Sequence, residues 1–387
     1  MRPGPLLTRR GFALGIASCG VSRGATADLK KIEDIVIYKD DSFYSSFPSI
    51  VRRPTGELLT AFRRAPNRRL VGVRAVTHTD PNSYCVLVRS GDGGKSWSAS
   101  PDLIYAHAWG GSQDPCMVQL RDGSLVCTSY LWTWLDREGG AKTQGTAELN
   151  HYVFQGGYIV RSTDGGKTWN GPFYPAPVPG RGGRDALGKP LPAYNRGALC
   201  QGSDGRLYWV VACGVDGGDR TDVHLMISAD GGITWTYSCP VASHPSASFN
   251  ETSLYETPKG DLVAFIRSER FDDHAIVARS RDGGKTFQPW QDANWQGHPH
   301  HAVRLESQQV LLVYGYRHKP FGIRARILDA ECTNFADARE FVLRDDGGNG
   351  DLGYPWAVTL PDRRALVTYY MNQNDGTRYI GGTFVSY

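Results

Sequence analysis

Apolar and polar residues alternate in short runs through most of this chain, the period-two pattern of half-buried β-strands. The runs come in pairs joined by a polar turn. "SIVRRPTGELLTAFRR" (49–64), "PCMVQLRDGSLVCTSY" (115–130), "GALCQGSDGRLYWVVAC" (197–213), "TSLYETPKGDLVAFIRS" (252–268), "HAVRLESQQVLLVYGYR" (301–317) and "AVTLPDRRALVTYYM" (357–371) read as six strand–turn–strand units. A further strand-like run follows each of the first five. A spare run, "EDIVIYKD" at 33–40, is available to complete the last unit.

A second repeat alternates with the hairpins. "RSGDGGKSW" (89–97), "RSTDGGKTW" (161–169), "ISADGGITW" (227–235) and "RSRDGGKTF" (279–287) share spacing and flanks, and "ILDAECTNF" (327–335) is a worn fifth copy. Asp-Gly-Gly makes a turn that needs positive φ, the Asp accepts backbone N–H bonds within it, and the closing aromatic packs between sheets. These segments resemble the Asp boxes of sialidase-type β-propellers. Boxes and hairpins together predict an all-β fold, a six-bladed β-propeller with Asp-box turns, closed by the N-terminal strand. In that family the boxes are structural and lie away from the active face.

Composition narrows the class. The 387 residues are 40% hydrophobic and 21% charged, with 46 Gly and 10 Trp, as expected of many short strands joined by tight turns. A net charge of +4 argues against nucleic acid as a partner. The segment with Arg9, Arg10, a short apolar stretch and Ala25-Thr26-Ala27 reads as a twin-arginine export signal over 1–27, with a lipid anchor on Cys19 as the alternative. Residues 28–387 then form one domain, expected as a periplasmic or extracellular monomer with no transmembrane segment. Seven Cys follow Ala27 without a CxxC pair, which favours buried thiols over disulfides or zinc. The Gly/Pro-rich stretches 136–150 and 172–194 read as loops over one face, and 344–353 as a plain loop rather than a calcium site.

Innermost propeller strands begin around one axis, so residues just before the six hairpins converge. They are Phe47-Pro48, Gln113-Asp114, Asn195-Arg196, Asn250-Glu251, His300-His301 and Gly353-Tyr354. Such a polar cluster is a candidate active site. A hairpin also sets its two ends side by side, which makes Glu251 and Arg267 neighbours at the mouth.

The order Asn-Glu, hairpin, Arg resembles the sialidase segment with the catalytic Glu and the second Arg of the substrate-binding triad. The resemblance implies Glu251 and Arg267 in those roles, Asp80 as acid/base, Tyr354 as nucleophile and Arg324 as the third Arg, with Arg317 and Arg326 competing. It implies a retaining exo-glycosidase acting on a terminal acidic sugar of a glycan, with no cofactor and no metal. One departure stands out. The family opens blade one with an aromatic, Arg, Ile and Pro, whereas this chain has Phe47-Pro48-Ser49-Ile50, so the first triad Arg is missing. Arg196, or Arg63 and Arg64, would substitute; otherwise the sugar differs. Asp114, His300 and His301 are expected substrate contacts. The His pair leaves open a polysaccharide lyase acting on uronates, and the boxes alone leave open a glycan-binding propeller.

Overall fold

The computed structural model describes residues 28–72, 79–135, 148–149, 152–185, 188–215, 220–373 and 376–387, with Met1 and Gly4. The export segment, Cys19 and most of the 136–150 stretch lie outside the described residues. Six antiparallel sheets form the blades. The first holds Phe43–Arg52, Leu58–Pro66, Tyr84–Ser90 and Asp102–Tyr105, and the fourth Ser248–Glu256, Leu262–Glu269, His274–Ser280 and Gln291–Gln296. The sixth runs Gly353–Leu360, Arg364–Met371, Tyr379–Ser386 and ends on the N-terminal strand Lys30–Tyr38, which closes the ring as expected. Two details differ from six plain four-stranded blades. The second gains a short fifth strand, Glu148–Leu149. The inner strand of the third is only Cys200–Gln201, because residues 195–198 leave their own ladder to bond the fourth blade. No helix among the described residues is long and apolar enough to cross a membrane.

Each blade buries both faces against its neighbours. Val210, Leu225, Phe249, Ile266 and Ile276 fill the space between blades three and four, and Phe265, Val277, Leu312 and Tyr314 that between four and five. Ile37, Tyr38, Phe62 and Tyr370 seal the closure between six and one. The seven cysteines are free thiols, and all but Cys200 are buried. The box aromatics sit in these seams, as Trp235 does against Leu120 and Val126.

The boxes hold the far rim. Asp164 Oδ1 accepts from the N–H groups of Lys167 and Thr168, both at 3.0 Å, and from Ser162 Oγ at 2.8 Å, while Ser162 Oγ accepts from Gly166 N–H at 2.8 Å. Asp92, Asp230 and Asp282 repeat the arrangement with Ser90, Ser228 and Ser280. The worn copy has neither Gly-Gly nor that Ser, yet Asp329 still bonds the N–H groups of Glu331, Thr333 and Asn334. Arginines link box to box: Arg89 donates to the carbonyls of Gly165 and Gly166 in the next blade.

At the centre no ladder joins one inner strand to the next among the described residues; a single backbone bond, from Leu254 N–H to the Ala198 carbonyl, links blades three and four, and side chains make the other joins. Ser49 Oγ donates to the Pro115 carbonyl at 2.7 Å, Asn195 Nδ2 to the Thr252 carbonyl at 2.7 Å, and Ser253 Oγ to the His300 carbonyl at 2.5 Å. The Ala357 N–H donates to His301 Nδ1 at 3.2 Å. Four of the inner strands are also kinked at one level. Their ladders shift register at Ser46/Ser49, Gln113/Cys116, Asn250/Ser253 and Gly353/Trp356. Within each bulge one residue takes positive φ: Phe47 (57°), Asp114 (33°), Glu251 (32°) and Tyr354 (52°). A bulge re-aims a side chain and strains the backbone, and both are usual at functional sites.

Ser162 is buried and serves two bonds of its box. Ser162→Ala should therefore lower stability by about 1–2 kcal/mol in urea denaturation, and no loss would show that the box does not brace the rim.

Candidate active site

The kinked positions put Tyr354 and Glu251, 103 residues apart, in direct contact. The Tyr354 hydroxyl donates to Glu251 Oε1 at 2.5 Å. Arg267 Nη1 lies 2.7 Å from Glu251 Oε2, and its Nη2 lies 2.7 Å from Glu269. Asn250 faces Arg267 in the ladder, and the bulge after Asn250 turns Glu251 toward that guanidinium. The two ends of the blade-four hairpin therefore meet as the sequence implied.

Electrostatics separate the two partners. Burial raises the Glu251 carboxyl, but Arg267, the Tyr354 hydroxyl and Arg317 outweigh it and hold it at about 2. Tyr354 is buried; burial, then the charge of Glu251, raises its phenol well above 10, against the pull of Arg267 and Arg317. In the resting site Tyr354 is thus a neutral donor and Glu251 an ionised acceptor. The arrangement lets the phenol pass its proton to the carboxylate, as any nucleophilic use of the oxygen would require.

Two further guanidiniums lie over the Tyr354 ring. Arg317 stands 5.0 Å from its centroid and is fixed through the Leu352 carbonyl and the Tyr370 hydroxyl. Arg196 stands 4.6 Å away and donates through Nη2 to the carbonyls of Pro48 and Tyr354. Residue 197 must be Gly, since a Cβ there would lie 2.0 Å from the Thr252 carbonyl oxygen. Phe47 meets Tyr354 edge-on at 4.7 Å.

Two further buried carboxyls are candidates, Asp114 beside Glu251 and Asp80 on its own loop. Burial and the charge of Glu251 push Asp114 up to about 7, although Arg196, the Tyr130 hydroxyl bonded at 2.9 Å and Arg63 pull the other way. Asp114 Oδ1 is buried without a hydrogen-bond partner. Asp80 is also buried and lies in a two-point pair with Arg68, at 2.8 and 3.1 Å. The Asp80 loop packs on Gly111 at the start of blade two.

The remaining sequence candidates separate cleanly. Arg324 does not reach the cluster. It faces Tyr314 in the ladder, and its guanidinium bonds the carbonyls of Arg344 and Pro320. Arg317, at the end of the second strand of blade five, occupies the level that Arg267 holds in blade four. Arg326 turns to Ala338 and Glu340. Of the substitutes for the missing Arg, Arg64 pairs outward with Asp40 and stacks on Phe43, whereas Arg63 is buried over Tyr44 and Phe47. His300 packs among Phe265, Trp295 and Tyr314, and His301 stacks on Trp356 at 4.2 Å. Both rings are buried, and burial holds both imidazoles near 3, helped by His298 and Arg196 respectively. Sequence reasoning missed Tyr130, Glu269 and Tyr370. Each lies on the second strand of its blade, as Arg267 does, with Glu269 and Tyr370 at or next to the strand end and Tyr130 further inside.

Comparison with known proteins agrees with this architecture. The family model described as BNR repeat-like domain matches residues 134–368, more than half of the chain. The chain belongs to that BNR repeat-like family. A protein of unknown function from Dyadobacter fermentans shares 52% identity at a TM-score of 0.90, covering 92% of this chain and 99% of its own. A variant of the NanB sialidase from Streptococcus pneumoniae superposes at a TM-score of 0.62 with 14% identity, over 91% of this chain and 70% of that one. An α-L-arabinanase from Penicillium chrysogenum does so at 0.64 with 13% identity, over 92% and 98%. These two share the fold of this BNR-repeat chain. No curated protein matches it in sequence.

Because the Glu251–Arg267 pair is nearly enclosed, its halves depend on each other. Arg267→Met should cost about 3 kcal/mol in denaturant titration, and the double variant Glu251→Leu, Arg267→Met should cost less than that single change. Additive losses would show that the pair is not coupled.

Proposed function

We propose that this chain is a retaining exo-glycosidase that removes a terminal acidic sugar, sialic acid or a relative, with Tyr354 as nucleophile and Glu251 as its base. The observation that carries the reading is the 2.5 Å Tyr354–Glu251 bond inside a shell of guanidiniums. The phenol oxygen attacks the anomeric carbon while Glu251 takes its proton, and the glycosidic oxygen leaves with a proton from a carboxylic acid. Water then attacks the glycosyl–tyrosine, giving that acid its proton back, and the phenolate recovers its own from Glu251. An anionic sugar repels a carboxylate nucleophile, which gives a neutral phenol its advantage here. Arg267 and Arg317 anchor the sugar's carboxylate, Arg317 taking the place that the sequence suggested for Arg324.

Asp80 is the acid/base by its loop position. Asp114 is the competing donor, favoured by a carboxyl that burial leaves half-protonated near pH 7. A histidine-based lyase has less support, because the rings of His300 and His301 are packed into the blades. Export through the twin-arginine segment belongs to the same reading, since terminal glycan sugars lie outside the cytoplasm.

A screen of reducing sugar released from sialosides, Kdo-glycosides and uronides tests the substrate class. On the sugar released, Tyr354→Phe and Glu251→Gln should each lower turnover about a hundredfold or more with folding intact. Near-normal turnover of Tyr354→Phe would remove the covalent mechanism. Glu251 stays ionised down to about pH 2, so activity should persist as pH falls toward 4. The alkaline limb belongs to the donor, which is lost as pH rises through its pKa. A limb near 7 that disappears in Asp114→Asn identifies Asp114, and a limb that disappears only in Asp80→Asn identifies Asp80.

A further inference from the structure

Arg196 is a cation in an expensive place. It is 1% exposed and forms no ion pair among the described residues, although its charge acts on Asp114. Its Nε and Nη1 have no hydrogen-bond partner, and only Nη2 is engaged, on the carbonyls of Pro48 and Tyr354. A buried guanidinium without an ionic partner loses its hydration and recovers little of it through two carbonyls. What it does face is aromatic: the Tyr354 ring at 4.6 Å and the Trp356 ring at 5.4 Å. Four blades meet around it. It begins blade three, its carbonyl partners belong to blades one and six, and Gly197 permits the close approach to blade four.

We propose that Arg196 is a positioning residue for Tyr354: a buried positive charge under the phenol ring that, with Arg317, stabilises the negative charge developing on the phenol oxygen. The inference rests on the reading of Tyr354 as nucleophile. A cation over a neutral phenol gains only the ring quadrupole; over a phenolate it gains the full charge as well, so the interaction strengthens along the reaction. Differential stabilisation of this kind raises turnover rather than ground-state affinity. It also gives the missing guanidinium of blade one a different meaning. Arg196 lies behind the nucleophile, bonded to the Tyr354 backbone itself, and acts on that residue instead of on the sugar's carboxylate. The other charged and titratable groups that bear on Tyr354 are Glu251, Arg267, Arg317, Asp114, Tyr130 and Tyr370.

The test reads the phenol directly and needs no substrate. A polyfluorinated tyrosine installed at 354 in the full chain, several units more acidic than tyrosine, is titrated by fluorine NMR. Arg196→Gln keeps a donor for the two carbonyls but removes the charge, and should raise the phenol pKa by about one to two units. Arg196→Lys keeps the charge and should hold the value within about half a unit. If the Gln variant does not fold, Arg196→Met, apolar against the same rings, carries the same expectation. An unchanged phenol pKa in the neutral variant overturns the proposal, as does an equal rise in Gln and Lys, which would mean packing alone. In the unfluorinated enzyme the expected signature is a fall in kcat of about tenfold or more at constant KM. A raised KM for the acidic sugar with kcat held would make Arg196 a carboxylate ligand and would also overturn it. Because the titration is made without substrate, it stands or falls apart from the glycosidase assignment, which the Tyr354→Phe turnover decides.

Discussion

The hydrogen bond from the Tyr354 hydroxyl to Glu251 is the contact on which the account turns. Neither partner is stable alone where it sits. A lone buried carboxylate would take up a proton, and a lone buried phenol would lose its hydrogen-bond partner. Held together with Arg267, they divide the proton sharply, with Glu251 ionised and Tyr354 neutral. That division is the starting condition that the proposed nucleophile needs, since its oxygen would become charged only as it reacts.

The propeller holds that bond in place. Tyr354 and Glu251 come from blades six and four, so any slip of one blade against another would open it. The slip is resisted at two levels. Cross-blade bonds through Ser49, Asn195, Ser253 and His301 lock the inner strands, and the Asp boxes with their arginine links lock the opposite rim. His301 thereby becomes a structural residue: its Nδ1 accepts from the blade-six backbone and its ring stacks on Trp356. The bulges complete the design. Without the kink after Asn250, the period-two alternation of the strand would carry Glu251 to the other face of the sheet.

Much of this was legible in the sequence because repeats carry topology. Six hairpins and five boxes fix six blades, and the spare strand at the N-terminus has only one open edge to fill. The meeting of Glu251, Arg267 and Tyr354 was legible because strand starts converge in a ring and a hairpin sets its two ends side by side. The choice between Arg317 and Arg324 was not. Both flank the same turn of blade five, and which one faces the axis depends on where the third strand begins, a boundary that the pattern leaves loose. The histidines were misleading for a related reason. A polar residue at a strand entrance looks like a site residue in sequence, yet His300 is packed entirely among aromatics. The raised carboxyl of Asp114 was hidden as well, since it arises from burial beside Glu251, a residue 137 positions away that only the closed ring brings near.

The covalent role of Tyr354 is the central claim, and trapping the glycosyl–enzyme tests it most directly. Incubation with 2,3-difluorosialic acid, followed by peptide mass spectrometry, should place the added sugar on the peptide that contains Tyr354. The label should be absent in Tyr354→Phe. A label on a carboxylate such as Glu251 or Asp114, or no label on the Tyr354 peptide, would contradict the account.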